Sequence, residues 1–278
     1  MNLKPGLVVF SIGALAGACA AVIVLFSPLA RDDARITQVV DERLAQLPKP
    51  EAATTTLGPA IEEYLLANPS LLQRVSDALA AEREAEQRSK TRTLIDARRD
   101  EIFGSDDAVV VGNEDGDVTL VEFYDYNCDY CRRAMPDVAA LLLEDPNLRL
   151  VLRQFPILSQ GSLESAKVGV VIAQQGGDYW TFHNAMFTAR GQADLSKALA
   201  QAEAIGLSED VVRSKLATPE VDDVITASAG LARDLGINGT PSFVLADEII
   251  PGAVGFEVLR AKIENVRRCG STRCEPTE

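Results

Sequence analysis

One stretch restricts the fold more than any other. Val118–Tyr124 is rich in β-branched and aromatic residues and apolar on both faces, which predicts a strand in the middle of a sheet. It runs into Cys128-Asp-Tyr-Cys131, and residues 128–143 then carry a helical pattern that stops at Asp145-Pro146. Residues 148–155 read as a second strand, interrupted by Arg149 and Arg153. Strand, helix, strand in that order predicts a right-handed parallel βαβ unit. Residues 163–235 are almost wholly helical in pattern, punctuated by Gly176-Gly177, Gly206 and Pro219. After them, 242–246 and 248–250 form a hairpin-like pair, and 256–266 a last helix. The expected fold class is α/β, a small sheet split by an inserted helical block.

The C-x-x-C carries the chemistry. Between a strand and a helix, its first sulfur falls at the helix N-terminus, where unpaired N–H groups and the dipole favour a thiolate. Cys128 is then the attacking sulfur of disulfide exchange, and Cys131, one turn on, closes or resolves the bond. Arg132 and Arg133 add positive charge nearby, and Asp129 opposes them. An inert disulfide and a zinc half-site are the alternatives. Zinc needs two more ligands, and the only histidine, His183, lies in a helical stretch as a packing residue. Cys269 and Cys274 offer two more sulfurs, but x₂ with x₄ spacing over so long a separation makes a poor cage. They read instead as a structural disulfide closing a six-residue ring, with a second redox pair as the alternative. No metal site and no cofactor beyond the dithiol is expected.

The run from Val118 to Arg133 resembles the active-site segment of the DsbA-like branch of the thioredoxin superfamily. Pro136 matches the proline inside the active-site helix of these folds, and 153–158 with Tyr179-Trp-Thr-Phe-His183 resembles the DsbA-type insertion, here about 160–236. The resemblance implies a thioredoxin-like fold with that insertion. It makes Glu122 the buried acid beneath the dithiol, passing a proton to and from Cys131. A solvent-facing glutamate is the alternative. It also makes Thr240-Pro241 the cis-proline position, where the Thr240 backbone pairs with an extended substrate; an ordinary trans turn is the alternative. DsbA itself carries a histidine inside its C-x-x-C. Here that position is Tyr130, a departure that argues against oxidation of DsbA strength.

The rest of the chain sets location and assembly. Residues 7–30 contain no charged side chain, long enough as a helix to span a hydrocarbon core of about 30 Å. They read as an uncleaved membrane anchor, with a cleaved signal at Ala18-Cys19-Ala20, or a lipidated Cys19, as alternatives. Residues 31–47 form a short amphipathic helix, 51–56 a linker, and a helical stripe of Ile61, Leu65 and Leu66 restarts at Asn68-Pro69 through Leu72, Val75 and Leu79. Residues 82–92 alternate charges as a solvated helix does. This region also resembles, more loosely, the helical extension of ScsC-type proteins. The expected domains are 1–30 (anchor or signal), 31–103 (stalk and oligomerisation region) and 104–278 (the DsbA-like thioredoxin domain). Paired cysteines point to an oxidising space such as a bacterial periplasm. The formal net charge of −14 and the lack of a basic run argue against nucleic acid as a partner. The expected partners are cysteine-containing exported proteins, a membrane or periplasmic redox protein, and further copies of the chain. The expected activity is that of a protein disulfide oxidoreductase or isomerase. A Cu(I)-binding module using the same two sulfurs is the rival reading.

Overall fold

The computed structural model describes residues 51–104 and 108–274, with positions 38, 42 and 43. The apolar run 7–30 and most of 31–47 lie outside them, and among the described residues no helix is long and apolar enough to cross a membrane. The chain divides into two compact units, the second starting at Leu79. In the first, helix α1 spans Glu51–Ala67, so the expected linker at 51–56 is helical instead. No proline or glycine interrupts that run before Gly58, and alanine and glutamate favour helix. Asn68 closes α1 by donating from its N–H and Nδ2 to the Tyr64 carbonyl, and Pro69 opens α2, Pro69–Ala97.

The second unit begins inside α2 and includes α3, Arg99–Phe103. Its boundary differs from the expected 104. Ile95 and Ile102, seven residues apart, are buried in one core with Val121, Phe123, Val151 and Val244. Two short apolar pairs, Leu94-Ile95 and Ile102-Phe103, among many charges gave no visible stripe, yet both reach the same core from either side of the turn at Arg98.

The sheet contains β1 (Val109–Gly112), β2 (Val118–Tyr124), β3 (Leu148–Gln154), β4 (Ser242–Leu245) and β5 (Glu248–Pro251), in the order β1-β3-β2-β4-β5. β2 and β3 are parallel, joined by α4 (Asp129–Glu144); the other pairs are antiparallel. β2 is therefore central, as its two apolar faces require. The edge strand β1 was not foreseen, because four residues are too few to show alternation. The arginines that interrupt β3 have a local cause. Arg149 donates to the Phe103 carbonyl at 2.6 Å, and buried Arg153 donates to the carbonyls of Glu101, Ile102 and Gly104. Together they satisfy carbonyls left open at the end of α3.

Between β3 and β4 come α5 (Gln160–Gln174), α6 (Tyr179–Thr188), α7 (Leu195–Ala204), α8 (Glu209–Leu216) and α9 (Pro219–Asp234). Four of them start where a Ser or Asp side chain (Ser159, Asp178, Asp194, Ser208) accepts an N–H of the first turn. α10 (Phe256–Cys269) follows the hairpin, and a Cys269–Cys274 disulfide closes the segment after it. Asp247 anchors that segment by accepting from the Ser271 hydroxyl and the Thr272 N–H.

Candidate active site

Cys128 caps the N-terminus of α4 with an extended backbone, φ −83° and ψ 117°. Its sulfur accepts the Cys131 N–H at 3.4 Å and, as a thiol, donates to the Thr240 carbonyl at 3.0 Å. Its pKa is lowered to about 6. The hydrogen bond from the Cys131 thiol is the largest cause, with the Thr240 side chain and the backbone of Cys131 and Tyr130 adding to it and burial opposing. The Thr240 carbonyl favours the protonated thiol, so that one contact belongs to the neutral form. Several donors outweigh a single acceptor. The arginines act elsewhere: Arg132 donates to the Phe187 and Ala189 carbonyls, and Arg133 lies over the Tyr130 ring at 5.0 Å.

Cys131 is fully buried. Burial pushes its thiol far above the ordinary range, and donation to Cys128 and the nearby Glu122 carboxyl push the same way. Both cysteines are free, so the described form is the dithiol. The period of two along β2 places Glu122 on the face of Leu120 and Tyr124, which line the same core as Cys131. Glu122 is 2% exposed, and its Oε2 has no hydrogen-bond partner among the described residues. Burial, and then the negative charge of Cys128, raise its pKa to about 8. The carboxyl is therefore mostly protonated at neutral pH and able to exchange its proton there.

Thr240-Pro241 is a cis peptide bond directly before β4, which brings the Thr240 backbone to the Cys128 sulfur. The structure thus groups Cys128, Cys131, Glu122, Thr240 and Pro241. Cys269 and Cys274 are held at the far end of α10 by their own disulfide, which leaves neither free to join Cys128 and Cys131 around a metal. Among the described residues, no cluster of three or more His, Cys, Asp or Glu is grouped to hold a metal ion. His183 is buried, its Nδ1 3.2 Å from the Tyr126 hydroxyl and its ring stacked on Trp180; burial lowers its pKa to about 3, so it is neutral.

Two residues of the redox turn had no assigned part in the sequence. Buried Asp125 accepts the Asn127 N–H at 2.8 Å through Oδ1, and the Ile157 and Leu158 N–H groups at 2.9 and 3.0 Å through Oδ2. It ties the turn to the segment after β3. Asn127 ties it to the insertion. An Asp two residues before a turn N–H was the available signal.

A sheet with this topology, a helix-capping C-x-x-C and a cis-proline at the sulfur define a thioredoxin-fold dithiol protein. Residues 119–264 match the family model described as a DSBA-like thioredoxin domain, and the chain belongs to that family of disulfide oxidoreductases. A thioredoxin-like oxidoreductase from Silicibacter pomeroyi DSS-3 is 43% identical, with a TM-score of 0.59 over 62% of this chain and 98% of that one. The thiol-disulfide exchange protein α-DsbA2 from Wolbachia pipientis is 28% identical, with a TM-score of 0.61 over 65% and 98%. Among curated proteins, the Na(+)/H(+) antiporter NhaA 1 of Salinispora arenicola is 28% identical over 172 residues, 61% of this chain. The chain spans about a quarter (26%) of that protein's length.

Proposed function

We propose that this chain is an extracytoplasmic protein thiol-disulfide oxidoreductase that exchanges disulfides with exported proteins through Cys128 and Cys131, and that it acts as an isomerase. The observation that carries the reading is the opposite tuning of two sulfurs in one helical turn: Cys128 lowered to about 6, Cys131 raised by burial. At neutral pH one sulfur is an attacking thiolate and the other a held thiol.

The Cys128 thiolate attacks a client disulfide, forming a Cys128–client bond and expelling a client thiolate. In isomerisation that thiolate, or another of the client, attacks the mixed disulfide and frees Cys128, with no net electron transfer. In reduction Cys131 attacks Cys128 instead, losing its proton to the ionised fraction of Glu122, and two electrons pass to the client. The Thr240 backbone is the edge on which the client's extended segment pairs.

Isomerisation benefits from several dithiols around one client. Leu57, Ile61, Tyr64, Leu66, Leu72 and Val75 of the first unit are each at least half exposed, a surface that association with other copies would cover. Residues 7–30 would tether the assembly to the inner membrane, facing the periplasm; cleavage there would release it as a soluble periplasmic protein.

The test is reactivation of a scrambled, disulfide-bonded protein by the reduced chain. Catalysed recovery that disappears in Cys128→Ser is expected. Stoichiometric Cu(I) uptake without turnover would replace this reading with a metal-handling one.

A further inference from the structure

Asn127, the residue before Cys128, commits its whole amide to the insertion. Oδ1 accepts the Ala193 N–H at 2.7 Å, and Nδ2 faces the Ala193 carbonyl at 2.9 Å and the Ser159 and Ser162 hydroxyls at 3.1 Å. Farther along α4, Arg132 donates to the Phe187 and Ala189 carbonyls. These two side chains hold the loop between α6 and α7 at a set spacing from the first half of α4. A groove of about 770 Å³ lies between them, within the size range of binding clefts.

Asp129, Arg132, Met135 and Pro136 form one wall, and Phe187 and Arg190 belong to the other. Asn127 and Asp129, the residues on either side of Cys128, line it, which puts the groove beside the turn that carries the attacking sulfur. Its charge is opposite to that of the chain. Two arginines line it against one carboxylate, in a protein of net charge −14. Arg190 is exposed, and its guanidinium has no partner among the described residues. The nearby Lys197 ammonium is already bound to the Arg190 carbonyl at 2.6 Å.

We propose that this groove is a client subsite that seats the polypeptide segment next to the client's cysteine, with an acidic side chain of that segment paired to Arg190. The inference rests on the thiol-disulfide reading above and adds the class of client sequence. Exposed Pro136 gives the segment an apolar contact, backed by the nearly buried Met135 and Phe187, while Arg190 supplies charge selection at the rim. An exposed cation at the mouth acts on the encounter and on binding, not on bond exchange.

The test uses the full reduced chain in single turnover with peptide disulfides, in which the Cys128/Cys131 dithiol gives two electrons to each peptide and becomes a disulfide. Three peptides differ only in a Glu, Lys or Gln beside the cysteine. At low salt the Glu peptide should half-saturate at a concentration roughly three- to tenfold below the Lys peptide, with the limiting rates alike. The gap should shrink as salt screens it, and Arg190→Glu should invert the order. Equal half-saturation of the Glu and Lys peptides in the unmodified chain, or an order that Arg190→Glu leaves in place, would overturn the subsite alone. No reduction of any peptide, the Gln one included, would overturn the thiol-disulfide reading and the subsite with it.

Discussion

The Thr240 carbonyl lies 3.0 Å from the Cys128 sulfur, although 112 residues separate the two in the chain. The contact ties the start of α4 to the residue pair before β4 and puts the Thr240 backbone beside the Cys128 sulfur. A client segment pairing there would present its own sulfur to Cys128.

The two cysteines should therefore fail differently when replaced. Cys128→Ser should drop exchange to the uncatalysed level, because the buried Cys131 cannot reach a client. Cys131→Ser should trap covalent Cys128–client species, because nothing within the site resolves them. Non-reducing gels of the two variants after incubation with a disulfide-bonded client distinguish them.

Glu122→Gln should slow closure of the Cys131–Cys128 bond at pH 7 by roughly ten- to a hundredfold, since the carboxyl whose ionised fraction accepts the proton is gone. It should also change stability with a definite sign. The carboxyl titrates near 4.5 when exposed and near 8 when folded, so the native state holds a proton that the unfolded chain has released. Between those values the carboxyl's contribution to stability falls by about 1.4 kcal/mol per pH unit. The lowered pKa values of Cys128 and His183 give slopes of the opposite sign in both proteins. Urea unfolding at pH 5 and pH 8 should therefore show the Glu122 slope as the difference between the unmodified protein and the variant.

Much of this site was legible because its central segment is contiguous. An apolar strand, a C-x-x-C and a helical stripe follow each other from Val118 to Glu144, and local physics fixes where the first sulfur falls. Glu122 was ambiguous for a physical reason. Val121 and Phe123 beside it argue for a core on one face, and only β3, β4 and α4 together make the other face a core as well. The ties made by Asp125 and Asn127 were illegible, because their partners at 157–158 and at Ala193 are distant in sequence. Ile95 and Ile102 were hidden by the charges around them.

That burial changes where the assembly region can be cut. Deleting 31–103 would strip Ile95 and Ile102 from the core, whereas deleting 31–78 leaves them in place. The shorter deletion should give a monomer by sedimentation that still reduces peptide disulfides but no longer repairs a scrambled client. A full ectodomain that is already monomeric at micromolar concentration would contradict the isomerase reading.

The disulfide after α10 should matter for stability only. Replacing Cys269 and Cys274 together by serine should cost about 2 kcal/mol, the chain-entropy value for so small a ring. Exchange rates at 25 °C should stay as they were, because Asp247 still anchors Ser271 and Thr272.

The central claim is that Cys128 is a thiolate at neutral pH while Cys131 is a protected thiol. Alkylation of the reduced protein across pH 4 to 10, with the labelled peptides identified by mass, measures it directly. The account predicts that Cys128 is modified with a midpoint near 6 and that Cys131 stays unmodified until the protein unfolds. Labelling of Cys131 first, or a Cys128 midpoint at the ordinary thiol value of about 8.5, would contradict it.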